Sequence, residues 1–129
     1  MNKKEVERLA ELYFDNTVNL LGESKYHSFT PYLVIELSPE SEGIDNDWKG
    51  EYDPEENEII IYSNNIISKS DLAKTIVHEY AHYLQDPKWM TRYYTLGHSY
   101  KTHPYEREAF KIEELNWYKI CKYNFYKLM

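Results

Sequence analysis

Apolar side chains recur every three or four positions near the start of the chain. Val6, Leu9, Ala10, Tyr13, Val18 and Leu21 fall near one face of a 3.6-residue repeat, so residues 2–22 predict an amphipathic helix stopped by Gly22. The pattern then changes. "PYLVIEL" at 31–37 is a short run of β-formers and predicts a strand. "DWKGEYDPEENEIIIYSN" predicts a hairpin with arms at 48–52 and 58–63, and Pro54 and Asn57 supply the chemistry of its turn. A second helix is expected from "SKSDLAK", with Ser70 as N-cap and Asp71 at its positive end, stopping at Asp86-Pro87. Residues 88–103 read as irregular or partly helical, and a third helix opens at Pro104. Helix, three strands, helix, loop and helix describe one α+β domain over 1–129, its sheet expected to be mostly antiparallel.

Composition narrows the partners. A net charge of −7 argues against nucleic acid, whose binders carry a basic surplus. Cys121 is the single cysteine, so no intrachain disulfide holds the fold. No segment approaches the roughly 20 apolar residues of a membrane span, and "MNKKEVERLAEL" lacks the apolar run of a signal peptide, so a cytoplasmic protein is expected. Fourteen tyrosines stand against four phenylalanines, which predicts many half-buried rings with hydroxyls at the surface.

Chemistry concentrates in "TIVHEYAHYLQDP". His78 and His82 are one helical turn apart on one face, the spacing at which two imidazoles can hold one tetrahedral zinc. Glu79 follows His78 at the edge of that face, too far round to be a ligand beside both histidines but within reach of a water on the metal. Ile76, Val77, Tyr80, Ala81 and Leu84 make the rest of the helix apolar, so it should be buried. A carboxylate and two imidazoles on a buried helix need a partner, and a metal is one.

A catalytic zinc takes three protein ligands and leaves a place for water. His98, His103, Glu106 and Glu108 are the downstream candidates. The pattern HExxHxxGxxH is excluded, because Gln85 and Lys88 stand at its glycine and third histidine. Glu106 is favoured: it opens the third helix, and Ala109 and Phe110 follow over its face, the small alanine allowing close approach to the second helix. Glu108 points about 200° away from Glu106, so the two cannot share one ion. His27 reads as a surface or packing residue.

"HEYAH" followed by "PYEREA" resembles the gluzincins, zinc peptidases whose third ligand is a glutamate, and the small size and element order resemble the minigluzincins. The resemblance implies a small zincin-like domain in which His78, His82 and Glu106 bind Zn2+ and Glu79 is the catalytic base. It implies a peptide or protein substrate lying along "EIIIYS", the expected sheet edge. Minigluzincins are known as latent forms, which makes the tail "CKYNFYKLM" a candidate plug; its plain alternative is the packed end of the last helix. The expected reaction is endopeptidase hydrolysis by a zinc-activated water. Tyr94 and His98 are the favoured donors to the oxyanion. Three other readings stay open: a SprT-like protease with His98 as third ligand, a zinc-stabilised binding module without catalysis, and a helix–sheet interaction domain with no metal.

Overall fold

A computed structural model describes residues 1–39, 47–88 and 103–122. Its elements are α1 (Lys3–Leu21), β1 (Tyr32–Glu36), β2 (Gly50–Asp53), β3 (Glu58–Tyr62), α2 (Lys69–Leu84) and α3 (Pro104–Lys122), with one 3-10 turn at Ser63–Asn65. Among the described residues the architecture is α+β, three helices with a three-stranded sheet.

α1 begins where Asn2 Oδ1 accepts the Glu5 amide at 2.9 Å and ends at Gly22, whose N–H still donates to the Val18 carbonyl and whose φ of 78° then turns the chain out of the helix. Its buried stripe is Val6, Leu9, Ala10, Tyr13, Asn16 and Thr17. The expected Val18 and Leu21 are only half buried, because the 3.6 repeat leads from Tyr13 to Asn16 and Thr17. Those two polar groups are accommodated by hydrogen bonds: Asn16 Nδ2 donates to the Ile120 carbonyl at 3.2 Å and Thr17 Oγ1 to the Tyr13 carbonyl at 2.7 Å.

The strand order is β1-β3-β2, with β1 parallel and β2 antiparallel to β3. This corrects two expectations. The sheet is mixed rather than mostly antiparallel, and "EIIIY" is its central strand rather than an edge. Its central place comes from its two pairings, β1 on one side and β2 on the other, and Ile60 is only half buried, so one face of the strand lies on the core. Ile59 and Ile61 are fully buried. The β2–β3 hairpin turns as expected. Asp53 Oδ1 accepts the amides of Glu55 and Glu56, and Asn57 sits at φ 51°, which asparagine tolerates.

α2 is capped by Ser68, whose hydroxyl accepts the Asp71 amide at 3.1 Å, and not by Ser70, which lies inside the helix. Asp71 also holds Lys49 at 2.7 Å, tying the start of α2 to the approach of β2. Every residue from 76 to 83 is buried, because α2 packs against α3, α1, β2 and β3 together. Among the described residues no helix is long and apolar enough to cross a membrane.

Candidate metal centre

The buried helix α2 carries His78 and His82 on one stripe, with ring centroids 4.9 Å apart and ring planes at 84°. The first turn of α3 brings in Glu106. Its Oε2 lies 3.3 Å from His78 Nε2 and its Oε1 2.5 Å from His82 Nε2. Two imidazole nitrogens and one carboxylate therefore converge from two helices. Ligands about 2.0–2.1 Å from a tetrahedral ion stand roughly 3.3 Å apart. The His78–Glu106 pair already has that spacing, whereas the His82–Glu106 pair is closer, in direct contact.

Glu79 completes the group. His78, Glu79 and His82 each offer a ligand atom within 4.8 Å of the others, and all three are buried, so the expectation that Glu79 lies too far round to be a ligand beside both histidines is corrected: its side chain reaches back over the same turn. Glu79 Oε1 is 4.0 Å from His82 Nε2. Its Oε2 is buried with no hydrogen-bond partner, a costly state for a carboxylate oxygen. The described residues thus form a buried group able to hold a metal ion. The donor set of two imidazoles and a carboxylate fits it, and the orphaned oxygen marks where a further polar atom belongs.

The electrostatics agree with that reading. Burial disfavours charge on His78, but the carboxylates of Glu106, Glu113 and Glu79 outweigh it, and its pKa is pushed up to about 10. Burial pushes the Glu79 carboxyl above its ordinary range, against the opposing pull of His82 and His78; Glu106 and Glu51 add to the rise. A site with this much negative charge around two imidazoles asks for a cation.

The outer nitrogens face away from Glu106. His82 Nδ1 is 2.8 Å from Gln85 Oε1, and Gln85 Nε2 donates to the Tyr105 carbonyl at 2.8 Å and to Glu108 Oε1 at 3.1 Å. Glu113 Oε1 lies 3.3 Å from His78 Nδ1, within ion-pair reach but short of a well-formed hydrogen bond. The His82 ring stacks on Tyr105 at 4.4 Å and 11°, and half-exposed Phe110 leans on His78 at 4.5 Å.

The four residues expected at the centre, His78, Glu79, His82 and Glu106, are brought together. Glu108 is not; it is turned to Gln85. His103 is fully buried at the start of α3, where its Nδ1 accepts the Tyr105 amide at 3.1 Å. His27 packs on Tyr83, rings stacked at 5.1 Å, with its Nε2 3.3 Å from the Tyr52 hydroxyl. Tyr94, His98 and the end of the tail lie outside the described residues. Gln85 and Glu113 were not foreseen. Their signals were the spacing of Gln85, three residues after His82, and of Glu113, seven after Glu106 and therefore on its face. Compared with family models, with curated proteins and with solved structures, the chain finds no match.

Proposed function

We propose that this chain is a zinc metallopeptidase that cleaves peptide bonds within proteins or peptides. The observation that carries the reading is the convergence of His78 Nε2, His82 Nε2 and the Glu106 carboxylate beside a Glu79 oxygen that has no partner. His78, His82 and Glu106 would hold the ion. When bound, zinc supplies Lewis-acid polarisation of the scissile carbonyl and acidifies a water.

Glu79 is the proton carrier. Its Oε2 has no hydrogen-bond partner and would take a proton from the attacking water and deliver it to the departing amine nitrogen. Tyr105 stacked on His82 and Phe110 against His78 restrict ring rotation and keep water away from two sides of the imidazole pair. The substrate would add to β2, not β3. Among the described residues β2 pairs with β3 alone, so its other side offers main-chain groups to an extended peptide. Gly50 on β2 lies tight against Thr75, one turn before Glu79 on α2, and Glu51 on β2 is among the charges acting on Glu79, which favours that edge.

The test is metal analysis together with Glu79→Gln. The purified chain should take up one zinc, and the wild type should hydrolyse an unstructured protein such as casein. Glu79→Gln should keep the zinc while hydrolysis falls by a factor of about 10²–10⁴. Absence of stoichiometric zinc refutes the metal assignment. Zinc binding with no hydrolysis by the wild type instead favours a zinc-stabilised module.

A further inference from the structure

The residue that breaks the HExxHxxG pattern has a place of its own. Gln85 follows the last turn of α2 with φ −85° and ψ 157°, and its side chain is buried between α2 and α3. All of its polar capacity toward the site is used: Oε1 meets His82 Nδ1 at 2.8 Å, and Nε2 reaches the Tyr105 carbonyl at 2.8 Å and Glu108 Oε1 at 3.1 Å.

These partners fix which way the amide points. A carbonyl oxygen only accepts a hydrogen bond, and so does an ionised carboxylate. Turning the amide over would set its oxygen against two acceptors and its NH2 against the ring. The amide oxygen therefore faces His82, and Nδ1 must be the nitrogen that carries the proton. In neutral His82 the lone pair then resides on Nε2, the atom that meets Glu106.

We infer that Gln85 is a positioning residue: it locks His82 as the Nδ1–H tautomer, presents the Nε2 lone pair to the ion, and pins the ligand-bearing turn of α3 to α2. This rests on the metal assignment above. The anchor matters because Tyr105 and Glu108 flank Glu106 on both sides, so one amide holds the approach of two ligands in register. Groups that orient a ligating histidine are typically worth about 10- to 100-fold in metal affinity.

The experiment uses zinc alone as the probe, on the full chain. Wild type, Gln85→Met and Glu108→Gln are titrated against a competing chelator, and long-range proton–nitrogen NMR reads the His82 ring in the zinc-loaded wild type. The expected spectrum shows a proton on Nδ1 and the shift of a metal-bound nitrogen at Nε2. Gln85→Met should bind zinc about 10- to 100-fold more weakly. Glu108→Gln should stay close to wild type, because the Tyr105 carbonyl still orients the amide.

Zinc bound through His82 Nδ1, or Gln85→Met binding as tightly as wild type, overturns the inference while leaving a metal site standing. A wild type that takes up no zinc refutes the metal assignment itself and this inference with it. Should Gln85→Met fail to fold, the wild-type spectrum alone decides.

Discussion

Without a bound metal the protein should lose stability as pH rises. In the metal-free chain His78 has a pKa of about 10, against an ordinary value near 6.5. Its folded pKa lies above its unfolded one, so folded His78 binds more protons over that interval. Its contribution is complete below about pH 6.5 and is lost as pH rises through about 10. The gap of about 3.5 pH units, at about 1.4 kcal/mol each, sets a ceiling of ~5 kcal/mol. That is a large share of the 5–15 kcal/mol that typically separates folded from unfolded. Glu79 acts in the same direction, since burial raises its folded pKa and it too binds more protons folded than unfolded. Zinc should abolish the His78 part of the slope, because a ligating imidazole is held deprotonated at every pH in the window. Urea denaturation with and without a chelator, at pH 6.5, 8 and 9.5, measures both limbs. A metal-free stability that is flat or rising from pH 6.5 to 9.5 refutes the account of His78 as a cation held by Glu106 and Glu113.

Glu106→Ala should abolish tight zinc binding, while Glu108→Ala should leave most of it, as chelator competition will show; the reverse order would identify Glu108 as the ligand. Gly50→Ala should destabilise the fold by about 1–3 kcal/mol by overpacking. Its new methyl would lie 2.8 Å from both the Ile60 carbonyl oxygen and Thr75 Cγ2, closer than real Cβ contacts come. A thermal melt like that of the wild type would show that β2 does not pack tightly on α2.

Local signals were enough for most of the elements. The repeat through Val6, Leu9, Ala10 and Tyr13 marked α1, the Asp53–Asn57 turn marked the hairpin, and the apolar surroundings of His78 and His82 marked α2 as a buried helix. These are local signals, set by the 3.6-residue turn and by which residues tolerate a turn's dihedral angles. The pairing of His78 with His82 was legible for the same reason, since one helical turn fixes both. Strand order was not. Nothing within "EIIIY" states which strands lie on either side of it, because sheet neighbours are chosen by packing across the whole domain, and here β1 and β2 enclose it. Nor could spacing alone decide between Glu106 and Glu108. That choice depends on the rotation of α3 against α2, which buried Ala109, the Gln85 amide and the Tyr105–His82 stack determine together. Chain pattern specifies a helix and its faces; only the contact between two helices decides which carboxylate meets the imidazoles, because that contact joins residues more than twenty positions apart.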